Sequence, residues 1–251
     1  MSGREVRLQP RDTRWMEFIA QQGGVPMSLI GQVEQIGSSQ LHEMVKRWKS
    51  VGRVLVERVD YGAPGRWRNS KHFDEPGAVP QGPLWVYMTR EGAWGYLDFD
   101  PGAWWPKPTT VAHLTALTEL RLALTGLETD PEVWTSERLL RRRLRTESGQ
   151  LGAHVHDAWF QDIGDPDKVW AIEVELSRKF GAGRLMAAMA RALDAADRHE
   201  LAGVLYFVRG EALRRAVEST GTRLAHKRGV ERLSNLEIHD LDTTLSKKGV
   251  R

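Results

Sequence analysis

The sequence has 251 residues, of which 41% are hydrophobic and 27% charged, a composition typical of a folded globular protein. It has no apolar run near the roughly 20 residues of a membrane span and no apolar stretch behind its first charges, so we expect a cytoplasmic protein that does not contact membranes. The absence of cysteine excludes disulfides, thiol catalysis and cysteine-ligated zinc, which leaves His, Asp and Glu as metal ligands. The net charge of +3 is only mildly basic.

The chain length suits two domains. We predict a DNA-binding domain at residues 1–97, a linker at 98–108 and a second domain at 109–251. Three prolines in the linker favour an extended, non-helical connection: Pro101, Pro106 and Pro108.

Three short helices are predicted near the N-terminus. Asp12 is expected to cap the first helix, which the Gly23-Gly24 pair ends, and Pro26 opens the second. Ser38 or Ser39 is expected to cap the third helix. The inward face of this third helix is formed by Leu41, Met44, Val45 and Trp48.

The helical spacing of apolar residues then ends. The segment VLVERVDY predicts a strand, GAPG predicts a turn and RWRNSKHF predicts a returning strand. Three helices followed by a hairpin are typical of a winged helix-turn-helix, whose third helix enters the major groove of DNA. The segment LWVYMTREGAWGYL is predicted to add a strand and a short helix to this domain.

Basic residues are concentrated in this region, with eight Lys and Arg against three acids between Ser38 and Lys71. This charge predicts contacts with DNA phosphates. The alternatives are a solvated helix face and a protein-interaction module. The predicted DNA contacts are Gln40, His42, Lys46, Arg47 and Lys49 on the outer face of helix three, and Arg66, Arg68 and Lys71 on the wing.

The second domain begins with a leucine-rich helix between residues 109 and 128 that carries Glu119. Its predicted element order is α-β-β-β-α-β-α-β, so the chain as a whole belongs to the α+β or α/β class. The strands are predicted at residues 133–141, 154–160, 169–176, 203–208 and 236–241.

Three acids fall on two neighbouring predicted strands. Asp157 lies on the second strand, and Glu173 and Glu175 lie two residues apart on the third, so the glutamates share one face. Carboxylates in an apolar strand are costly unless a positive charge neutralises them, which predicts a Mg²⁺ or Mn²⁺ site. The alternative is that both glutamates face solvent on a one-sided sheet.

These residues resemble the PD-(D/E)xK nuclease superfamily, the restriction-endonuclease-like fold with an αβββαβ core. The sequence departs from that pattern at His156, which replaces the usual proline, and at Glu175, which replaces the usual lysine. The resemblance implies that Asp157, Glu173 and Glu175 are catalytic, with Asp157 and Glu173 as metal ligands and Glu175 either as a further ligand or as the group that orients water. It also implies that Glu119 is an additional acid that helps to hold the metal. It leaves open whether Lys179 approaches the phosphate. His154 and His156 are further candidates for functional residues.

The succession of a winged helix, W-x-S-E-R-x-L-R, HVxD and AIEVELSRK also resembles replication-relaxation proteins of actinobacterial plasmids and mobile elements. An arginine-rich hairpin beside the acids is predicted to hold a DNA backbone or, in the alternative, to form a solvated loop. Its residues are Arg141, Arg142, Arg143 and Arg145.

Together these features predict a metal-dependent endonuclease or nickase acting on plasmid, phage or mobile-element DNA. The first alternative is an inactive replication initiator or regulator whose nuclease-like domain serves for dimerisation. The second is a scaffold for an element-encoded protein partner. A double-strand cutter with one site per chain is expected to form a homodimer.

Overall fold

The computed structural model describes residues 7–59, 82–148, 154–162, 164–177 and 182–247. Within these ranges the chain is a mixed α+β protein with nine helices and two sheets. It divides into two compact units, residues 1–118 and 119–251, and the division falls within helix α5 (Val111–Thr125). No helix in the described ranges is long and apolar enough to span a membrane.

The first unit has a small antiparallel sheet with the strand order β1-β3-β2. Trp15, Phe18 and Trp48 are fully buried, as the helical spacing predicts. The elements in chain order are α1 (Pro10–Gln22), β1 (Gly24–Pro26), α2 (Met27–Glu34), α3 (Ser38–Ser50), β2 (Val54–Arg58), β3 (Leu84–Met88) and α4 (Arg90–Leu97).

The N-caps of two helices in the first unit differ from the sequence prediction. Gly37, and not Ser38 or Ser39, is the N-cap of α3. Gln9, not Asp12, is the N-cap of α1, and the Asp12 carboxylate accepts the Gln9 backbone N–H at 2.9 Å from inside the first turn. Strand β2 pairs in register with β3. The predicted turn GAPG and returning strand RWRNSKHF lie outside the described residues, as do Arg66, Arg68 and Lys71.

The second unit is built on a five-stranded sheet with the order β4-β5-β6-β7-β8. The first three strands are antiparallel, and β6, β7 and β8 are parallel. After α5 the elements are β4 (Trp134–Ser136), α6 (Glu137–Ser148), β5 (Ala158–Gln161), β6 (Val169–Glu175), α7 (Ala182–Arg198), β7 (Gly203–Val208), α8 (Glu211–Lys227), β8 (Leu236–Asp240) and α9 (Leu241–Lys247).

The predicted strand at residues 133–141 is correct only for three residues, which pair with β5, and is wrong for the residues that follow them. Strand β4 ends at Ser136 and helix α6 follows at once, so the arginine-rich segment is a helix and not a hairpin. Leucine and arginine are good helix formers, and Leu140 and Leu144, one turn apart, are both buried. Helix α9 was also not predicted. It begins where the Asp240 carboxylate accepts the Thr243 N–H at 2.7 Å.

The main core of the second unit lies between the sheet and helices α7 and α8. Strand β7 is buried along its whole length, as a central strand of a parallel sheet must be. Helix α7 packs Leu185, Met189 and Leu193 into this core, while Met186, which the helical spacing also predicts to face inward, is only partly buried. The central strand β6 is therefore enclosed, and its C-terminal end becomes the place where polar side chains gather.

The start of β7 provides a test of the parallel pairing between β7 and β8. Gly203 has φ +152°, and a Cβ on it would lie 2.3 Å from the Asn235 carbonyl oxygen. We expect Gly203→Ala to lower the free energy of unfolding by at least about 2 kcal/mol, because the neighbouring backbone must shift. Urea denaturation followed by circular dichroism measures this effect.

Gly183 in helix α7 is the matched control, since a Cβ there meets nothing within 4 Å. Gly183→Ala is expected to leave stability unchanged or to raise it by up to about 1 kcal/mol. Equal stability of the Gly203→Ala protein and the wild type would contradict the close approach of β7 to residue 235.

Candidate functional site

Glu173 and Glu175 lie on β6 in the middle of the sheet. They share the face that carries Ala171, which packs in the core beside Tyr206 and Val208 of β7. Glu175 is 7% exposed, and the Glu173 side chain is 13% exposed. On the opposite face Ile172 and Val174 are also buried. The alternative in which both glutamates face solvent on a one-sided sheet is therefore wrong.

Asp157 immediately precedes β5 and lies against β6. Its backbone N–H donates to the Ile172 carbonyl at 3.1 Å. Its carboxylate Oδ2 accepts the Val174 N–H at 2.8 Å. Val174 is the residue between the two glutamates, so the three predicted acids are held at the same end of β6.

The Tyr206 side chain is affected by the charges of all three acids. It lies on β7 in register with Glu173 and is 1% exposed. Burial raises the pKa of Tyr206 far above its ordinary value, and the negative charges of Glu173, Glu175 and Asp157 raise this pKa further. The phenol is therefore a neutral group beside the acids. The sequence analysis does not predict that Tyr206 belongs to the surroundings of the acids, because nothing in the buried sequence GVLYFV distinguishes this tyrosine from an ordinary core residue.

His154 contacts the acids directly. Its Nε2 lies 2.7 Å from Glu173 Oε1, and both side chains are mostly buried. Its ring packs edge-on against that of His156, with 4.9 Å between the ring centroids. Residues 154–157 precede β5 and are not part of a strand, so strand alternation does not set the directions of their side chains.

His156 is held by the fold through both ring nitrogens. Its Nε2 lies 2.9 Å from the Ala192 carbonyl oxygen, to which it must donate. Its Nδ1 accepts the Trp159 indole N–H at 3.1 Å. Burial lowers the pKa of His156 to about 4, so the ring is neutral near pH 7. This histidine fixes β5 against α7.

Within the described ranges, the His, Asp and Glu ligand atoms that all lie within 4.8 Å of one another belong to His154, His156 and Glu173. Because the Nδ1 lone pair of His156 already accepts a hydrogen bond and its Nε2 carries the proton, this ring has no free lone pair for a cation. His154 and Glu173 could hold a divalent cation, because they supply an imidazole nitrogen and carboxylate oxygens. Asp157 and Glu175 lie at the same end of β6 but outside this group of ligand atoms.

Glu119 on α5 is bound to a cationic side chain. Its Oε2 lies 3.5 Å from Nη2 of Arg209, and Arg209 Nε binds Asp242 at 2.9 Å. Burial raises the pKa of Glu119, and the positive charge of Arg209 opposes this rise. The backbone N–H of Arg209 donates to the Glu175 carbonyl at 3.3 Å. Glu119 is therefore connected to the end of β6 through Arg209, and it is not a member of the histidine and glutamate group.

Helix α6 brings arginines to the same side of the unit. The Glu137 N–H donates to the Asp157 carbonyl at 3.1 Å, so the first turn of α6 lies beside the acids. Burial lowers the pKa of Arg138 to about 10, which still leaves a cation at neutral pH. Arg141, Arg142, Arg143 and Arg145 are exposed along the helix. Lys179 lies outside the described residues.

In the first unit, helix α3 exposes four of its five predicted DNA contacts. Gln40, His42, Lys46 and Lys49 are exposed. Arg47 is different, because it is half-buried and its Nη2 lies 3.3 Å from Asp12, which is fully buried. Arg47 therefore lies only partly on the outer face, and its guanidinium neutralises a buried carboxylate.

Comparison of the chain with protein-family models, curated proteins and solved structures finds no match.

The neutral state of His156 predicts a pH dependence of stability. Between about pH 6.5 and pH 4 the unfolded chain binds a proton at this position and the folded chain does not, so the free energy of unfolding falls as the pH falls. The shift to about 4 corresponds to roughly 3 kcal/mol. Urea unfolding at pH 7 and pH 4 measures the loss.

The variant His156→Gln cannot titrate at this position and is expected to lose less stability over the same pH interval. The matched control is His226→Gln, at an exposed position on α8, which is expected to keep the pH dependence of the wild type. An unchanged pH dependence in His156→Gln would show that His156 is not held in its neutral form.

Proposed function

We propose that the chain is a DNA-binding, divalent-metal-dependent endonuclease or nickase that hydrolyses phosphodiester bonds in plasmid, phage or mobile-element DNA. The position of Asp157, Glu173 and Glu175 at one end of the central strand carries this proposal, because both glutamates are largely buried and Asp157 is hydrogen-bonded to Val174 between them. Three carboxylates in so enclosed a position repel one another, and a divalent cation is the partner that relieves the repulsion.

The topology of the second unit supports a restriction-endonuclease-like interpretation. Three antiparallel strands are followed by a crossover helix and a strand parallel to the third, which is the order that the resemblance implies. Asp157 precedes the second strand, and Glu173 and Glu175 lie on the third. Helix α6, between the first two strands, is an addition to this pattern.

The topology of the first unit supports a winged-helix interpretation. Helix α3 is followed by the antiparallel pair β2 and β3, and β1 lies on the other side of β3. The side chains that α3 exposes include Lys46 and Lys49, as a helix that meets DNA phosphates requires.

The residues of the second unit have distinct parts in the proposed reaction. Water adds to phosphorus through a new P–O bond, and the bond to one sugar oxygen breaks as that oxygen takes up a proton. A bound cation supplies charge that polarises the phosphate and acidifies water. Glu173 and Asp157 would hold the cation, and Glu175 would orient the water where the superfamily that the sequence resembles carries lysine. Arg138, in the first turn of α6, would add positive charge to this part of the unit, and the exposed arginines of α6 would contact the DNA backbone.

Cleavage of supercoiled plasmid in the presence of Mg²⁺ or Mn²⁺ tests the proposed reaction. Glu173→Gln keeps the size of the side chain and removes its charge, so we expect the cleavage rate to fall at least about 100-fold. Gel electrophoresis separates nicked from linear product and so distinguishes a nickase from a double-strand cutter.

Glu132→Gln, at an exposed glutamate of the same unit, is the matched control and is expected to cleave like the wild type. Cleavage that persists in Glu173→Gln would contradict the site. DNA binding without cleavage by the wild type under all metal conditions would favour an inactive initiator or regulator.

Binding of a labelled DNA duplex, followed by fluorescence anisotropy at several salt concentrations, tests α3. We expect Lys46→Ala and Lys49→Ala each to weaken binding and to lower the salt dependence by about one released counterion per lost phosphate contact. Arg14→Ala, at an exposed position on α1, is the matched control and should bind like the wild type. Unchanged affinity and salt dependence in both lysine variants would rule out α3 as the DNA-contacting helix.

A further inference from the structure

We propose that His154 is a direct ligand, with Glu173, of the cation in the second unit, and that the site therefore prefers an imidazole-binding transition ion such as Zn²⁺ or Co²⁺ to Mg²⁺. This inference rests on the proposed function, because it names the class of metal that the same site takes. It also makes His154 a metal ligand, a role that the nuclease resemblance does not imply.

The spacing of the two side chains is close to that of two neighbouring ligands of one ion. His154 Nε2 and Glu173 Oε1 are 2.7 Å apart. Ligands about 2.1 Å from one ion are separated by about 3 Å at the right angle of an octahedral site and by about 3.4 Å at the tetrahedral angle that Zn²⁺ adopts. A cation can therefore enter between the two atoms after a movement of roughly 0.3 to 0.7 Å, in place of the hydrogen bond that now joins them.

The imidazole is held in this position before any cation binds. Its ring packs edge-on against His156, and that ring is fixed by the Ala192 carbonyl and the Trp159 indole. The His154 side chain is only 18% exposed. His156 thus acts as a positioning residue for His154. A ligand that is already oriented loses little conformational entropy on binding.

The imidazole of His154 determines which cations the site binds more tightly. Mg²⁺ takes oxygen ligands and keeps several waters, so an imidazole adds little to its binding. Zn²⁺ and Co²⁺ lie higher in the affinity order of nitrogen-containing sites, and imidazole is a common ligand for Zn²⁺. A nitrogen beside the oxygens of Glu173 therefore shifts the preference from the hard cations to the transition ions.

The experiment is a titration of the metal-stripped full-length chain with Co²⁺, followed by its visible absorption, and with Mg²⁺ and Zn²⁺, followed by calorimetry. We expect His154→Gln to weaken Co²⁺ and Zn²⁺ binding by about 10- to 100-fold and to change Mg²⁺ binding by less than about 2-fold. Electron paramagnetic resonance of bound Cu²⁺ is expected to show nitrogen coupling that this variant lacks.

His239→Gln is the matched control, because His239 Nε2 lies 3.1 Å from Glu237 in an exposed pair of the same unit. This variant is expected to bind all three ions like the wild type. Circular dichroism and thermal unfolding verify that each variant is folded. If His154→Gln proves unfolded, the nitrogen coupling in the wild type decides: its presence supports the proposal and its absence overturns it.

The remaining outcomes separate this inference from the proposed function. Unchanged Co²⁺ and Zn²⁺ binding in a folded His154→Gln protein, together with loss of binding in Glu173→Gln, overturns the histidine ligand and leaves the metal-dependent nuclease standing. Equal weakening of Mg²⁺ and Co²⁺ binding in His154→Gln means that His154 only orients Glu173, and it also overturns the inference. If the wild type binds none of the ions, both proposals fail.

Discussion

Strand β6 is enclosed on both faces and nevertheless carries two carboxylates. Burial of an ionised carboxylate costs several kcal/mol unless hydrogen bonds or positive charges compensate it. The surroundings of this strand supply such groups from several elements. The Val174 N–H fixes the Asp157 carboxylate, His154 approaches Glu173, and the first turn of α6 donates the Glu137 N–H to the Asp157 carbonyl. The polar end of β6 is thus possible only because β5, α6 and the segment before β5 converge on it.

Much of the fold follows from local pattern. Strand β7 has the predicted bounds, and helix α3 buries the residues that helical spacing indicated. The segment after Trp134 was misjudged, because its β-branched start suggested a strand throughout. Only three residues find a partner in β5, and the leucine and arginine that follow favour a helix. Strand length was therefore decided by pairing, which local sequence does not encode.

The candidate site was predictable only in part. Glu173 and Glu175 stood out as charges within an apolar strand, and the prediction that they share one face follows from the strand period alone. Other predicted site residues take positions that depend on contacts distant in sequence. His156 meets the carbonyl of Ala192, 36 residues later, and Arg47 meets Asp12, 35 residues earlier. A basic residue on a helix looks the same in sequence whether it faces DNA or a buried acid.

Arg209 binds Glu119 of α5 and Asp242 of α9, and its backbone is bonded to β6. The last helix of the unit is therefore connected to the polar end of the central strand through one shared guanidinium. If α9 opened locally, that guanidinium would lose one carboxylate, and its charge would act on Glu119 alone. The position of this seven-residue helix therefore bears on the charge that Arg209 presents beside the end of β6.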